Sequence, residues 1–352
     1  MTLKTIAATT ALVAIGSGAA VAGGLDRVTF SSSILYEQGT YAEVGYGLTT
    51  PKISNAGLAT GFGIGTVATS FNTVKLGFKT DITDKIAVAL MYNNQPVGAD
   101  INYGVLGIAG TVDAQKVTAL AKYQFTKNVS AYGGVVYQYI SGSVRIPPSL
   151  ALPTGIGVIV HGKSEYGYIA GAAYEIPDIK LRVALSYESK IKYALPSTVT
   201  PAPLPTTGTT TAGTPEAWTL EFQSGVAPKT LVFGSIRYAK HGDTQITLPI
   251  VGTITSFTNV TTYELGVAHK FNKSLVLYTS IGYEKPDNTI QSLFAPTDGQ
   301  VDLSFGGQLD LNQGYKVAMG MTISRRGDAT TSLGTFNDNT VMTAGIKLSK
   351  NF

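Results

Sequence analysis

The feature that most constrains this chain is a segment of roughly ten residues, repeated along the sequence, in which every second side chain is aliphatic or aromatic. One copy covers positions 74–79 (VKLGFK), and a second follows a short polar turn at positions 86–92 (IAVALMY). Successive side chains of a β-strand point to opposite faces of the sheet. The alternation therefore predicts strands that have one apolar face and one polar face.

The connections between these segments are alternately short and long. Short turns lie near positions 82, 127, 178, 227, 273 and 313. They alternate with long connections at about 51–68, 94–113, 144–163, 194–214, 241–259, 286–299 and 326–337. Counting from a first strand at Tyr41 gives about 14 strands, and bacterial outer-membrane barrels have an even number of strands, short periplasmic turns and long external loops. A closed barrel also leaves no strand edge unpaired in the membrane. The sequence thus predicts an all-β fold, a transmembrane antiparallel β-barrel of about 14 strands with both chain ends in the periplasm.

The two ends of the chain carry signals that fit this prediction. Residues 1–22 combine Lys4, an apolar stretch and an Ala-Val-Ala site at 20–22, which is the pattern of a cleaved secretory signal peptide. A spanning helix fits less well, because Gly16 and Gly18 end the apolar run short of the ~20 residues that a span needs. At the other end, an alternating strand stops at Phe352, which resembles the signal read by the barrel-assembly machinery. Both ends favour a barrel over a soluble β-sandwich.

Several other functional classes are not supported by the sequence. The net charge of +4 is small and scattered, whereas nucleic-acid binding needs a clustered basic face. The chain has no Cys, and its His161, His241 and His269 have no Gly-x-Ser-x-Gly motif or metal-ligand spacing near them. We therefore expect no enzyme activity, no cofactor, no metal site and no nucleic-acid partner.

The segment 23–39, before the first strand, is apolar without a regular strand period. A disordered periplasmic leader is one interpretation, but such leaders are normally polar. A plug folded into the barrel lumen is the preferred interpretation, so the chain divides into a signal peptide (1–22), a plug (23–39) and a barrel (40–352). The plug side chains expected to contact a ligand are Leu25, Phe30, Ile34, Leu35 and Tyr36.

Four stretches, at positions 23–47, 91–104, 181–193 and 215–241, together resemble the FadL family of outer-membrane transporters. The resemblance implies passive uptake of long-chain fatty acids or other hydrophobic compounds. It implies a route in which the molecule binds at the external loops, passes a pocket beside the plug and leaves sideways into the membrane lipid. The Asn-Pro-Ala motif of the family's plug has no counterpart between Gly23 and Tyr41, so the details of plug movement are not carried over.

Lateral exit in that family depends on an inward kink of the third strand. Here the third strand ends in Asn-Asn-Gln-Pro-Val-Gly at positions 93–98, and Asn94, Pro96 and Gly98 are candidate gate residues, because Pro lacks a ladder donor and Gly adds backbone freedom. An ordinary external turn is the equal alternative. Arg145, near the third long connection, is a candidate partner for a substrate carboxylate.

These observations predict an outer-membrane protein that takes up hydrophobic molecules through a plugged barrel. The alternatives are a general diffusion porin and a non-transport surface or adhesive barrel, for which the Pro- and Thr-rich stretch at 196–214 is a candidate external element. Conductance distinguishes them, since a porin passes ions steadily and a plugged transporter does not. Fatty acids and aromatic hydrocarbons call for similar apolar pockets, so both remain candidate substrates.

Overall fold

A computed structural model describes residues 24–54, 65–148, 154–200 and 207–352, and the predicted signal peptide lies outside these ranges. The described chain forms one closed antiparallel barrel of 14 strands. The strands, numbered first to fourteenth here, are Tyr41–Ser54, Phe71–Thr83, Ile86–Asn93 with Ala99–Asn102, Ala109–Gln124, Val129–Ile146, Ile156–Ile176, Leu181–Glu188 with Ile191–Thr200, Thr207–Thr214 with Ala217–Ala227, Thr230–Ala239, Val260–Lys270, Leu275–Glu284, Gln300–Asp310, Tyr315–Arg326 and Gly334–Asn351.

The barrel closes through a long ladder between its first and last strands. This ladder runs from the Tyr41↔Asn351 pair to the Ser54↔Asn337 pair. Every barrel strand therefore has a neighbour on both sides, which removes the free edges of an open sheet. The predicted fold class is confirmed.

The two faces of the wall differ as the alternation predicts. In the first strand, Val44, Tyr46 and Leu48 are exposed on the outer surface, while Glu43 points inward and lies 3.1 Å from Lys347 Nζ. Large apolar side chains are exposed in the same way on the other strands. An apolar outer belt around a polar interior is the surface of a barrel that is surrounded by hydrocarbon.

The predicted short turns are present, and they define one end of the barrel, called here the short-turn end. The opposite end differs from the prediction, because strands continue into several expected loops. The expected connection at 194–214 contains a ladder from Ile191↔Thr214 to Thr198↔Thr207. Thr-rich segments suit β-structure, but residues 207–214 are polar or small on both faces and so show no apolar alternation. The sequence pattern therefore did not reveal this extension.

Short strands and 3-10 helices lie at the long-connection end, in the turns and in the N-terminal segment. They are the two-residue strands Thr247–Leu248 and Gly252–Thr253, the strand Ala329–Thr331, and the 3-10 helices Ser33–Tyr36, Gly104–Leu106, Pro177–Ile179, His241–Asp243 and Asn312–Gly314. Within the described residues, no helix has the length and apolarity to cross a membrane.

Residues 24–40 lie inside the barrel before the first strand begins. Leu35 is fully buried, and Ile34 packs so closely on the second strand that a Cβ at Gly77 would lie 2.7 Å from its Cδ1. Side chains of this N-terminal segment reach the wall on several sides, and these contacts define the candidate site.

Candidate functional site

Glu221 of the eighth strand holds the middle of the N-terminal segment. Its Oε1 accepts a hydrogen bond from the Ser31 hydroxyl at 2.5 Å, and its Oε2 accepts from the Ser32 amide at 3.0 Å and the Ser32 hydroxyl at 2.6 Å. Hydrogen bonds to an ionised carboxylate are stronger than neutral ones. This single side chain therefore fixes two successive residues of the segment in the lumen.

A buried ion pair holds the start of the segment. Asp26 Oδ2 lies 2.8 Å from Arg237 Nη2 and 3.5 Å from His241 Nε2, and all three residues are buried. Burial alone would raise the pKa of the Asp26 carboxyl, but the cationic groups around it, with Arg237 contributing most, together outweigh burial and hold that pKa below its usual range. Burial also lowers the pKa of His241 to about 4, so its imidazole is neutral at pH 7.

Tyr36 ends the segment between two cations of the wall. Lys122 Nζ lies 4.5 Å and Arg182 Cζ 4.4 Å from the centre of its ring, and its hydroxyl is 3.4 Å from Ser130 Oγ. Cations above an aromatic ring are attracted by its electron-rich face. Tyr36 therefore acts as an attachment point near the short-turn end of the barrel.

The third strand is interrupted at residues 94–98. On the fourth strand, Lys116 faces Asn93 and Val112 faces Ala99, so residues 94–98 stand opposite only 113–115 and must bulge out of the ladder. We call residues 94–98 the third-strand interruption. The extra length gives this part of the wall freedom to leave the barrel surface.

The third-strand interruption is bound to the N-terminal segment. The Pro96 carbonyl accepts hydrogen bonds from the amides of Arg27 at 2.9 Å and Val28 at 3.1 Å, and the Gly98 amide donates to the Leu25 carbonyl at 2.9 Å. A Cβ at Gly98 would lie 2.6 Å from the Arg27 guanidinium, so a larger residue at position 98 would require the Arg27 side chain to shift. The bulge thus points into the lumen and pairs with the segment.

An apolar cavity of about 50 Å³ lies between this pairing and the long-connection end. Leu25 and Val97 form its inner side, and aliphatic side chains of the wall surround it. Side chains from two long connections close it from above. These wall and roof residues include Val112, Ile140, Val160, Leu195, Ile246, Leu248, Phe257 and Phe294. We call this space the apolar cavity.

A second cavity, of about 80 Å³, lies behind the first three strands beside the third-strand interruption. Its lining combines apolar side chains, including Leu25 and Phe294, with the charged side chains of Arg27, Asp100 and Arg326. Arg326 is 3% exposed, and within the described residues its Nε and Nη2 have no hydrogen-bond partner. Buried guanidinium N–H groups without partners favour an anionic ligand. We call this space the arginine cavity.

A third space, of about 190 Å³, lies on the other side of the N-terminal segment, and its lining combines several charged side chains with apolar ones such as Phe30, Phe222 and Phe233. Glu221, Glu264 and Asp302 contribute negative charge to it, and Arg182 and Arg237 contribute positive charge. We call it the polar cavity. Mixed charge of this kind is typical of a wet barrel interior.

The residues that the sequence predicted as ligand contacts separate into groups. Leu25 lines both the apolar and arginine cavities. Phe30 and Ile34 border the polar cavity instead. Leu35 and Tyr36 pack against the wall and do not line any of these three cavities.

The predicted gate residues and the predicted cation lie in different places. Asn94, Pro96 and Gly98 belong to the third-strand interruption, where Asn94 Oδ1 also accepts a hydrogen bond from the Val74 amide at 2.6 Å. Arg145 is exposed near the end of the fifth strand, where it pairs with Ala109 and Gly157, so the structure does not place it with the other candidates. The sequence placed Arg145 in or beside the third long connection, but the fifth strand continues to Ile146 and includes Arg145.

Sequence reasoning missed the polar residues that organise the site. Alternation puts Arg326 on the inner face of the wall together with many other charged residues, so nothing in the sequence singled it out, and His241 has no catalytic or metal-binding motif near it. Phe294 lies in a connection without periodicity. The adjacent charges Asp26 and Arg27, within an otherwise apolar segment, were the available signal, because charges in such a setting need partners.

Comparisons with known proteins agree on the fold. No protein-family model matches the sequence, and no curated protein matches it. The structure of a FadL homologue from Pseudomonas aeruginosa has a TM-score of 0.78 at 12% identity, covering 96% of this chain and 98% of that one. The toluene transporter TodX from Pseudomonas putida has a TM-score of 0.73 at 16% identity, covering 96% and 98%. The toluene transporter TbuX from Ralstonia pickettii has a TM-score of 0.66 at 11% identity, covering 98% and 100%. The chain therefore has the barrel fold of FadL-type channels.

Proposed function

We propose that this protein is a bacterial outer-membrane channel for the passive uptake of hydrophobic molecules. In this proposal, residues 23–39 are the plug, and the third-strand interruption is a lateral exit to the membrane. The supporting observation is that Leu25 of the N-terminal segment, Val97 of the interruption and Phe257 and Phe294 of the long connections line one apolar cavity. A hydrophobic molecule entering from the long-connection end meets all three elements together.

The chemistry of the route favours lateral exit over passage along the barrel axis. The lumen beyond the N-terminal segment carries charged side chains among its apolar ones, whereas the third-strand interruption is a place where residues 94–98 outnumber the residues opposite them in the wall. Keeping apolar surface from water is worth about 25 cal/mol per Å². A hydrocarbon therefore gains more free energy of transfer by moving sideways into membrane lipid than by continuing past the charged groups of the polar cavity.

The arginine cavity favours a substrate with an anionic end, such as a long-chain fatty acid, over a neutral aromatic hydrocarbon. Its unpaired Arg326 N–H groups suit a carboxylate, and Ile53, Ile101 and Phe294 suit an alkyl chain. TodX and TbuX are toluene transporters, so both oleate and toluene belong in the test.

The proposal also covers export and assembly. Residues 1–22 serve as the signal peptide, and the strand that ends at Phe352 is recognised by the barrel-assembly machinery. The Phe352 side chain is exposed, and its amide donates a hydrogen bond to the Thr40 carbonyl at 2.9 Å. An exposed terminal aromatic ring is available to a partner, and the long connections are proposed to face the cell exterior.

Uptake assays test this proposal. The full chain is expressed in a Gram-negative host that lacks its own fatty-acid channel, and cell-associated labelled oleate and toluene are measured against empty-vector cells. We expect faster oleate uptake and low ion conductance of the purified protein in planar bilayers. A large steady conductance without faster uptake would instead support the general diffusion porin.

A deletion tests the exit. Removing Pro96 and Val97 leaves residues 94, 95 and 98 opposite 113–115, which restores a continuous ladder. We expect this variant to assemble, as shown by heat-modifiable mobility on gels, and to take up substrate more slowly. Uptake equal to the unmodified protein would exclude the third-strand interruption as the main exit.

A further inference from the structure

The sixth and seventh strands separate in mid-wall and then rejoin. One ladder runs from Ile169↔Glu188 to Ile176↔Leu181, and another runs from Gly157↔Thr200 to Val160↔Ser197. Between them, residues 161–168 and 189–196, all of them described, form no ladder pairs with each other. The second ladder has the same register as the first, so the unpaired stretches of the two strands contain equal numbers of residues and neither strand has a bulge relative to the other. We call this opening the slit.

Both strands stay attached to their other neighbours along the slit. The seventh strand pairs with the eighth at Glu188↔Ala217 and again at Ile191↔Thr214, without a change of register. The slit is bounded at one end by Ser189, whose amide donates to the Tyr168 carbonyl at 2.9 Å, and at the other by His161 Nε2, 2.8 Å from Thr198 Oγ1. It is therefore a bounded gap between two intact halves of the wall.

Side chains, and not backbone pairing, cover the slit. A Cβ at Gly167 would lie 2.8 Å from Ile191 Cγ1, so the Ile191 side chain occupies the space beside this glycine. The Tyr193 hydroxyl donates a hydrogen bond to the Gln138 carbonyl of the fifth strand at 3.2 Å, which carries its ring past the sixth strand. Side-chain rotation is much faster than the breaking of a ladder, so this cover opens more readily than the rest of the wall.

The inner side of the slit borders the apolar cavity. Two residues at the slit line that cavity. Val160 is the residue of the sixth strand that pairs with the seventh strand next to the slit, and Leu195 lies in the part of the seventh strand that does not pair with the sixth. Val97 of the third-strand interruption lines the same cavity. The cavity thus touches two separate irregularities of the wall.

The outer side of the slit carries a group of aromatic rings. Tyr166 is 68% exposed and packs edge-on against Tyr137 at 5.4 Å between ring centres. Tyr168 packs on Tyr187 at 5.8 Å, and Tyr187 on Trp218 at 4.9 Å. Exposed Tyr and Trp on a membrane barrel lie at the boundary between lipid and water. Backbone groups without ladder partners are tolerated at that level but not in the hydrocarbon core.

We propose that the slit is a second lateral opening of the apolar cavity, gated by Ile191 and Tyr193, through which hydrophobic molecules pass between the cavity and the outer boundary of the membrane. This inference rests on the proposed function. The protein would then have two lateral routes, one at the third-strand interruption and one between the sixth and seventh strands.

A reversible cross-link tests the second opening, because the chain contains no Cys. The double variant Gly167→Cys with Ile191→Cys places two thiols across the slit, where side-chain atoms are already in contact. The control is Ala172→Cys with Leu185→Cys, a directly paired position on the same two strands. Oleate uptake is measured for both after oxidation and again after reduction, with heat-modifiable mobility as the check on assembly.

We expect oxidation to roughly halve uptake through the slit variant, and reduction to restore it, while the control is unchanged. In the Pro96–Val97 deletion background, oxidation of the slit variant should abolish the uptake that remains. Equal rates in the oxidised and reduced slit variant, alongside normal uptake by the unmodified protein, would overturn the second opening alone. Uptake by the unmodified protein no faster than by empty-vector cells would overturn the proposed function and the second opening with it.

Discussion

The hydrogen bonds to Glu221 make a sharp prediction about the N-terminal segment. Replacing Glu221 with Ala removes all three bonds that Ser31 and Ser32 donate to its carboxylate. Hydrogen bonds to charged groups contribute about 1.5–3 kcal/mol each. In the variant, water in the polar cavity can accept hydrogen bonds from Ser31 and Ser32, which offsets part of the lost free energy. A net loss of about 3 kcal/mol corresponds to more than a hundredfold increase in the undocked population.

Hydrogen exchange of residues 24–39 measures this population directly. We expect Glu221→Ala to raise exchange in this segment while the barrel strands keep their protection, and to raise single-channel conductance as the lumen clears. Glu264→Gln is the matched control, because Glu264 lines the same cavity but accepts its hydrogen bond from Ser280 at 2.9 Å. Exchange in Glu221→Ala no faster than in Glu264→Gln would refute the assignment of Glu221 as the anchor.

Three further predictions concern the same elements. The pKa of His241 is about 4 when the N-terminal segment is docked, compared with an ordinary value of 6.5. The undocked state therefore takes up a proton at higher pH, and docking of the segment should weaken as pH falls from 6.5 towards 4. The protection of residues 24–39 from hydrogen exchange should accordingly be lower at pH 5 than at pH 7, and His241→Gln should reduce this difference. Leu35→Ala should cost about 2–5 kcal/mol of docking free energy, seen as faster exchange in the segment with unchanged barrel mobility on gels; a melted barrel would contradict it. Arg326→Gln should weaken oleate binding at least tenfold, a loss of about 1.4 kcal/mol, and leave toluene uptake unchanged. The control Arg145→Gln should change neither oleate binding nor toluene uptake. Equal losses for both substrates in Arg326→Gln would contradict a carboxylate site.

Much of the barrel could be predicted because its signal is local. Whether Val74 or Lys75 faces lipid is decided by the two-residue period of its own strand. The short turns and the strand count follow from the same pattern. The expected loop at 194–214 was wrong because its Thr-rich strands pair beyond the apolar belt, where neither face has to be hydrophobic.

The candidate site could be predicted only in outline. An N-terminal segment with apolar side chains and a Pro-Val-Gly stretch in the third strand pointed to two segments that the structure brings into contact, since both depart from the pattern of a regular wall. Arg326, and not Arg145, lines a cavity, because alternation puts many charged residues on the inner face and does not tell which of them lies beside a cavity. The separation of the sixth and seventh strands left no local signal either.

The sequence by itself determined a closed wall with an apolar outside and a polar inside, because each strand meets two different solvents and alternation is the local response to them. Only the tertiary structure decided what fills that wall. Asp26 meets Arg237 and Ser32 meets Glu221 across roughly half of the chain, and such pairings depend on barrel closure, which brings distant strands around one lumen. The cavities lie between the residues that these long-range contacts bring together.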